Sequence, residues 1–347
     1  MSSLPSSSPV TPAPLLDVRG LTVGFPTMRG VARVVDDVSL QVAEGEIVGL
    51  VGESGSGKSV TCRALLGLVP EPGAVMAGEV VFEGRDLLAL DARELRAVRG
   101  GGLAMVFQDP MSSLNPVLTI GRQLTETLTQ RTGLAAREAR SRGIELLDRV
   151  GIPAPERRMR SYPHELSGGM RQRVMIALAL AGEPRLLLAD EATTALDVTI
   201  QDQILLLLRE IRDQTGMAIV LVSHDMGVIA QTCDRVAVMY AGRIVEVAPA
   251  RELFADPRHP YAKALLEAIP RIDDQRRRGE LDTIPGQPPD VRDLGGGCPF
   301  QARCRFVQEA CADVPMTLES AGPGRTTACP FSADAVGRDT ALDREHA

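Results

Sequence analysis

The chain has 347 residues, of which 44% are hydrophobic and 3% aromatic, and it carries a net charge of −7 at pH 7. This length allows two domains, or one large domain with an appendage. An acidic chain with few aromatic rings is poorly suited to a broad nucleic-acid surface, which needs cationic and stacking side chains; a local basic patch remains open. The chain contains no apolar run close to the roughly 18 residues that a membrane-spanning helix needs.

The N-terminal segment, MSSLPSSSPVTPAP, is rich in Ser and Pro and has neither the basic start nor the apolar stretch of a secretory signal. We expect residues 1–14 to form a disordered arm. From Leu15 to about Ala43 apolar and polar residues alternate, which predicts half-buried antiparallel strands. These features predict a cytosolic protein that works at a membrane only by docking on another protein.

Residues 51–59 read VGESGSGKS, and the apolar run EIVGLV ends at Val51. They fit the phosphate-loop pattern G-x-x-x-x-G-K-S/T at every position. Glycines let consecutive backbone N–H groups point inward at a helix N-terminus, where they bind phosphate. A flexible Gly/Ser linker is the weaker interpretation, because a strand is predicted before the loop and a helix after it. The predicted nucleotide-binding residues are Gly52, Glu53, Ser54, Gly55, Ser56, Gly57, Lys58, Ser59 and Val60. Among them, Lys58 would reach the β- and γ-phosphates and Ser59 would ligate Mg²⁺.

The elements that follow alternate in type. GEVVFEGRDL predicts a strand pair and GLAMVFQD a buried strand, and helical periodicity dominates between Pro110 and Pro163. From Leu166 onward strands and helices alternate, which predicts a largely parallel sheet with helices on both faces. The helical block would form a separate lobe inserted into this sheet.

A pair of acids ends the apolar strand in RLLLADEATTALD. Asp190 at the strand end could hold the Mg²⁺ hydration shell, while Glu191 orients water at the γ-phosphate. A surface Asp-Glu pair that begins a helix is the structural alternative. The phosphate loop in the same chain favours the catalytic interpretation.

The segment ELSGGMRQR, residues 165–173, places Ser167, Gly168 and Gly169 directly before a predicted helix. Such a helix N-terminus is a second candidate anion site, although Ser167 could also be a simple N-cap. This segment is similar to the L-S-G-G-x-R-Q-R signature of the ATP-binding-cassette (ABC) ATPases, and the chain resembles that family over roughly residues 15–330.

The resemblance implies roles for further residues. Gln108 in VFQDP stands at the position of the Q-loop glutamine, a catalytic residue and Mg²⁺ ligand, and Asp197 in TALD at that of the D-loop. His224 in LVSHD matches the switch histidine, and Phe25 is the candidate to stack on adenine. The family pairs two such chains head to tail, so that each ATP lies between the phosphate loop of one and the signature of the other. Ser167, Gly168 and Gly169 would thus contact the partner's nucleotide.

Longer segments indicate which subfamily of the ABC ATPases the chain resembles. FQDPMSSLNPVLTIGRQLTE, ADEATTALDVTIQDQIL and RHPYAKALLEAIP are similar to ATPase subunits of the dipeptide, oligopeptide and nickel importers. That subfamily implies ATP hydrolysis that energises import and a peripheral location on the cytoplasmic face of the cell membrane. It also implies a second ABC ATPase subunit, expected to form a heterodimer, two transmembrane permease subunits and, indirectly, an extracytoplasmic solute-binding protein. Ala192 departs from the family, which commonly has Pro there, but no functional group is lost.

Two other functions compete with this interpretation. A soluble ABC ATPase that acts on nucleic acid or ribosomes usually has two cassettes, a coiled-coil insertion or a basic surface. This chain has one cassette, no sustained heptads and an acidic balance, so we expect no nucleic-acid partner. A redox sensor with a regulatory nucleotide site is disfavoured by the intact Glu191 and His224.

The six cysteines fall into two groups. Cys62 and Cys233 lie singly in apolar segments and are expected to be buried. The others, Cys298, Cys304, Cys311 and Cys329, follow the spacing C-x5-C-x6-C-x17-C. Disulfides are disfavoured in a reducing cytosol, and the C-x2–4-C spacing of structural zinc sites is absent. The resemblance implies a 4Fe–4S cluster, for which four thiolates is the right ligand count; zinc stays the alternative, with free thiols behind both.

The sequence therefore predicts an α/β fold: a P-loop ABC ATPase domain with a mainly parallel sheet core, an antiparallel β subdomain, a helical subdomain and a small Cys-rich C-terminal extension. The predicted boundaries are 15–260 for the nucleotide-binding domain, about 110–165 for its helical subdomain, 261–330 for the extension and 331–347 for a disordered tail. Because the cassette motifs all lie upstream of the cysteines, we expect loss of the metal centre to disturb the extension before ATP chemistry.

Overall fold

The computed structural model describes residues 13–109, 113–192, 198–269, 284–292 and 294–332. Most of the arm predicted over 1–14 and of the tail predicted over 331–347 lies outside these ranges. Asp197, the predicted D-loop residue, also lies outside them.

An antiparallel sheet of four strands forms from the alternating N-terminal segment. Its order is β2-β1-β4-β5, with β1 at Leu16–Thr27, β2 at Gly30–Val42, β4 at Ala74–Phe82 and β5 at Arg85–Asp86. Strands β1 and β2 form a tight hairpin in which Thr27 faces Gly30. The alternation of apolar and polar residues buries one face of this sheet, as the period of two requires.

The central sheet has the order β11-β12-β10-β9-β3-β8-β7-β6. Its strands are β3 Ile47–Val51, β6 Leu103–Val106, β7 Leu186–Asp190, β8 Ala218–Val222, β9 Arg235–Tyr240, β10 Arg243–Pro249, β11 Glu319–Gly322 and β12 Arg325–Thr327. Strands β6, β7, β8, β3 and β9 are parallel, whereas β10, β12 and β11 pair antiparallel. Strands β3, β7 and β8 are buried along their whole length, which explains their unbroken apolar sequences.

Helices cover this sheet and form the inserted lobe. They are α1 Lys58–Leu65, α2 Ala92–Gly101, α3 Ile120–Thr132, α4 Ala136–Arg149, α5 Pro155–Arg158, α6 Gly168–Leu180, α7 Val198–Thr215, α8 Met226–Thr232, α9 Ala250–Ala255 and α10 Pro260–Glu267. Short 3₁₀ turns occupy Pro163–Glu165, Gln301–Arg303 and Glu309–Ala312. Among the described residues, no helix combines the length and the apolar character needed to cross a bilayer.

The predicted α/β architecture is confirmed, with its parallel core, antiparallel sheet and helical insertion. Cys62 and Cys233 are buried, as predicted. Described residues of the predicted C-terminal extension, 261–330, contribute β11 and β12 to the central sheet, where Glu246 of β10 faces Thr327 of β12. Phe300 of the extension is buried in the cassette's main apolar core. A segment with little apolar content of its own thus folds by sharing the core of the cassette.

Candidate active site

The carboxyl ends of four neighbouring parallel strands meet at one edge of the central sheet, in the order β3, β8, β7, β6. Each of these ends carries a segment that the sequence singled out. The phosphate loop follows β3, His224 follows β8, Asp190 ends β7 and Gln108 follows β6. Ligands of open α/β sheets bind at this edge, so the fold gathers residues that lie far apart in the chain.

The phosphate loop, residues 52–59, needs glycine at two positions. Gly52 has φ 151°, and a Cβ there would lie 2.1 Å from the Met239 carbonyl oxygen. Gly57 has φ 106°, and a Cβ there would lie 2.6 Å from the Val34 carbonyl oxygen. Gly57 also precedes α1, whose N-terminus has no side-chain cap. Its first N–H groups are thus available to an anion.

Lys58 folds back over the loop. Its Nζ donates to the carbonyl oxygens of Gly52 at 2.8 Å and Glu53 at 2.9 Å. The third contact, to Ser56 Oγ at 3.5 Å, is too long to be a strong hydrogen bond. Burial lowers the pKa of the Lys58 ammonium. An ammonium has three donors, so the loop orients Lys58 and leaves donor capacity for a phosphate oxygen.

Ser59 and Asp190 come together as the predicted magnesium ligands. Ser59 Oγ donates to Asp190 Oδ1 at 2.8 Å, although the two residues are 131 positions apart. Asp190 is 1% exposed, and burial raises the pKa of its carboxyl group. A hydroxyl and a carboxylate are ligands that suit Mg²⁺. The two residues therefore fit the ion, which would neutralise charge on the phosphates.

Glu191 is the centre of a three-residue contact. Its Oε2 accepts from Gln108 Nε2 at 2.6 Å, and its Oε1 lies 3.5 Å from His224 Nδ1. The backbone of Glu191 has φ 48°, a left-handed conformation that is uncommon for a side chain of this size and often found at active sites. Its N–H donates to the Val222 carbonyl of β8. Gln108 thus contacts Glu191 rather than the Ser59–Asp190 pair.

The signature residues begin helix α6. Ser167 Oγ accepts from Met170 N–H at 3.3 Å, so the serine is an N-cap. Gly169 lies against α7, where an added Cβ would come within 2.8 Å of Ile200. Ser167 and Gly168 are exposed, so a second molecule can reach them. Their contact with a partner's nucleotide stays a prediction.

Phe25 lies near the end of β1 and is half-buried. Its ring contacts Gly73 in the loop after α1, where an added Cβ would lie 2.3 Å from the ring. Stacking of this ring on adenine stays a prediction.

Two contacts to the phosphate loop were missed by reasoning from the sequence. Glu53 N–H donates to the Tyr261 hydroxyl at 2.8 Å, and the Glu53 carboxylate accepts from Arg303 at 2.7 and 2.9 Å. Tyr261 belongs to the RHPY segment, which carried a resemblance without a role. No local pattern could reveal either contact, since the partners are 208 and 250 residues apart.

The four cysteines of the extension line one pocket, Cys298, Cys304, Cys311 and Cys329. Burial raises the pKa of the Cys298 and Cys329 thiols to about 11. His259 lines the same pocket, is 1% exposed, and its Nε2 has no hydrogen-bond partner. Within the described ranges, no group of three or more His, Cys, Asp or Glu side chains is placed to hold one metal ion. This finding supports neither the predicted cluster nor zinc.

Comparisons with known proteins agree with this geometry. Residues 35–194 match the ABC transporter family, and residues 245–311 match the oligopeptide/dipeptide transporter C-terminal region. The oligopeptide transport ATP-binding protein OppD of Salmonella typhimurium is 48% identical over 330 residues, which cover 94% of this chain and 97% of OppD. The chain belongs to the ABC transporter family.

Another relative and a solved structure indicate which ABC proteins this chain is similar to. A Brucella abortus protein whose name assigns it to ATP binding in peptide import is 52% identical over 318 residues, covering 92% of this chain and 95% of that protein. Among solved structures, a dimeric ATP-binding cassette in a post-hydrolysis state with ADP and Pi is 30% identical. It aligns with a TM-score of 0.62 over 68% of this chain and 99% of its own. These comparisons do not support the alternative of an ATPase that acts on nucleic acid or ribosomes.

Proposed function

We propose that this chain is the ATP-hydrolysing subunit that energises an ABC importer of dipeptides, oligopeptides or related solutes such as nickel. The contact of Glu191 with Gln108 and His224 carries this proposal. A carboxylate held between an amide and an imidazole, at the same sheet edge as the phosphate loop, is suited to orient water and accept its proton. Because all of these groups are present, we favour a site that hydrolyses ATP rather than one that binds nucleotide only for regulation.

Within one chain, different residues would bind the phosphates and the magnesium ion. Lys58 and the N–H groups before α1 would bind the phosphates, while Ser59 and Asp190 would hold Mg²⁺. The hydrolytic site would be completed by the exposed signature of a second ABC ATPase subunit, and the importer resemblance favours a heterodimer. Two transmembrane permease subunits and an extracytoplasmic solute-binding protein complete the assembly, which puts this chain on the cytoplasmic face of the membrane.

A groove beside Gln108 supports a permease contact. It has a volume of about 820 Å³ and runs between strand β6 and helix α3, with Phe107, Thr127 and Met175 among its lining residues. A groove of this size admits a short helix or loop of a partner. A permease segment seated there would lie next to the glutamine that contacts Glu191.

Transport by the complete assembly tests the proposed function. The chain is purified with its second ATPase subunit and permeases, reconstituted into proteoliposomes and supplied with peptide-loaded binding protein. We expect ATP hydrolysis and peptide uptake to rise together, and a Glu191→Gln assembly to lose both. Hydrolysis that responds to DNA or ribosomes, and to no peptide or nickel, would contradict the proposal.

We also propose that the four cysteines of the extension hold a 4Fe–4S cluster. Their common pocket and the unpartnered His259 Nε2 support a bound group there. A single zinc ion draws four sulfurs to about 2.3 Å from one centre, whereas a cluster has four irons to share them. The four thiols that line one pocket match the ligand count of such a cluster.

Anaerobic purification of the full chain, followed by its visible spectrum and assays of iron, sulfide and zinc, tests this assignment. We expect a brown protein with about four irons per chain. A colourless protein with one zinc would replace the cluster by zinc, and a metal-free protein would remove the site altogether.

A further inference from the structure

The side chain of Glu53 in the phosphate loop forms an ion pair with Arg303, which lies outside the ABC sequence motifs. Both carboxylate oxygens accept from Arg303, Oε2 from Nη1 at 2.7 Å and Oε1 from Nη2 at 2.9 Å. Such a two-pronged pair fixes direction as well as distance. Glu53 stands at a position that the phosphate-loop pattern leaves variable, so the pattern itself assigns it no role.

Arg303 is itself held rigidly. Its side chain is 5% exposed, and the hydrogen bonds to Glu53 raise its pKa further. Nε donates to the Pro285 carbonyl at 2.8 Å, Nη1 also contacts the Tyr240 hydroxyl at 3.3 Å, and the guanidinium lies 6.0 Å from the Phe300 ring centroid. An arginine with so many partners has little freedom to move.

The backbone of Glu53 is held as well. Its N–H donates to the hydroxyl of Tyr261. Tyr261 is fully buried, and its ring is tilted against that of Tyr240 with 4.4 Å between the ring centroids. Its carbonyl oxygen accepts from Lys58 Nζ at 2.9 Å. Glu53 therefore connects the residues of the extension to the lysine that binds phosphate.

We propose that Arg303 is a positioning residue for the phosphate loop, so that the C-terminal extension forms part of the ATP site. The loop contains three glycines and is otherwise free to sample many conformations. Holding Glu53 in place orders the loop before ATP arrives and lowers the entropy cost of binding. The inference rests on ATP binding by this chain, which its family membership establishes, and not on which solute is imported.

We expect loss of the metal centre to disturb the extension or its contacts before ATP chemistry, and the Arg303–Glu53 pair is one such contact. Arg303 directly precedes Cys304, and its 3₁₀ turn begins three residues after Cys298. A displacement of this turn would move the Arg303 side chain and, through the ion pair, the Glu53 carboxylate. The extension can thereby influence nucleotide affinity without touching the nucleotide.

ATP binding to the full chain tests the proposal, with a fluorescent ATP analogue as the probe. We expect Arg303→Gln to raise the Kd about tenfold or more, since it leaves the half-buried Glu53 carboxylate without its cationic partner. In the assembled importer KM should rise while kcat changes little. Arg305→Gln is the matched control, because Arg305 pairs with Glu267 on the surface of the same segment; its Kd should stay within twofold of wild type.

A double variant separates positioning from charge neutralisation. Without Arg303, the unpaired Glu53 carboxylate could simply repel the phosphates. Combined Glu53→Gln and Arg303→Gln removes that charge, so positioning predicts a Kd that stays high. Return of the double variant to wild-type affinity would overturn the proposal, because neutralisation alone would then explain the arginine.

A conservative variant covers the case in which Arg303→Gln does not fold. Arg303→Lys keeps the charge but loses the two-pronged geometry, and we expect a Kd raised several-fold with thermal unfolding and metal content unchanged. Wild-type affinity in a folded Arg303→Lys or Arg303→Gln protein would also overturn the proposal. Failure of peptide transport, by contrast, would leave these binding results intact.

Discussion

At the ATP-binding edge Asp190 ends β7, and Gln108 and His224 follow β6 and β8 within two residues. In the C-terminal extension the decisive contacts join distant parts of the chain, as Arg303 does with Glu53 across 250 residues. Two side chains of these regions also differ in burial. His224 keeps 61% of its side chain exposed, whereas the Arg303 side chain keeps 5%.

Because of this difference, we expect substitutions in the two regions to affect different properties of the protein. Gln108 and His224 at the edge are exposed, so they are accessible to substrate and their loss should affect chemistry more than folding. Arg303 and Arg325 of the extension are buried and each pairs with a carboxylate of the cassette. Their loss leaves that carboxylate without its cation and should affect stability or the shape of the loop. Substitutions in the two regions can test this division.

Glu191→Gln should have the largest effect, a loss of ATP turnover of about a hundredfold to ten-thousandfold. The amide keeps the shape of the side chain but cannot accept a proton from water. Steady-state hydrolysis is measured with the partner subunits present, together with nucleotide retention and thermal unfolding, which should not change. Glu210→Gln, on an exposed position of α7, is the control. Near-wild-type hydrolysis by the Glu191 variant would remove this residue from the catalytic role.

Ser167→Arg should block hydrolysis in the assembled pair and leave ATP binding to the isolated chain intact. The bulky cation would occupy the exposed start of α6, where a partner's nucleotide is expected. Because the substitution also removes an N-cap, Thr119→Ala is the matched control, since Thr119 caps α3 in the same way. If the Ser167 variant fails to bind ATP as a single chain, the signature acts on its own nucleotide and the head-to-tail arrangement is wrong.

The same division explains what could be predicted from the sequence. The loop glycines, the Ser59–Asp190 pair and the Glu191 contacts follow from motifs that are each local, once parallel strands bring their ends together. The contact of Tyr261 with Glu53 has no such signal, because a hydroxyl buried among aromatic rings looks like an ordinary core residue in sequence. The joining of β12 to β10 is equally hidden, since β12 is three residues long and lacks clear alternation.

Arg325→Met should destabilise the fold by about 3–5 kcal/mol, because it leaves a buried carboxylate unpaired. Arg325 lies 3.2 Å from Glu246, and the two side chains are 7% and 1% exposed. Burial raises the pKa of Glu246 above its unfolded value, so folding favours the protonated acid. The deficit should therefore be smallest near pH 4.5 and grow as the pH rises through the folded pKa.

Urea denaturation at pH 5 and pH 8 measures this effect. Arg122→Met provides the surface control, because Arg122 and Glu126 form an exposed, solvent-screened pair whose loss should change stability little. An Arg325 deficit as small as that of the control, or one that does not change with pH, would mean that the buried pair does not join the extension to the sheet.

Asp91→Ala should have the smallest effect, a loss of about 1 kcal/mol. Asp91 Oδ1 accepts from the N–H groups of Arg93 and Glu94, each at 2.8 Å, and Glu94 accepts in return from Asp91 N–H at 3.1 Å. This capping box begins α2 and is visible in the sequence as D-A-R-E. The exposed Asp148→Ala, near the end of α4, is the control and should stay within about 0.5 kcal/mol of wild type. A deficit for Asp91→Ala larger than that for Arg325→Met would reverse the comparison, because contacts local in sequence would then stabilise this fold more than the long-range ion pairs of its extension.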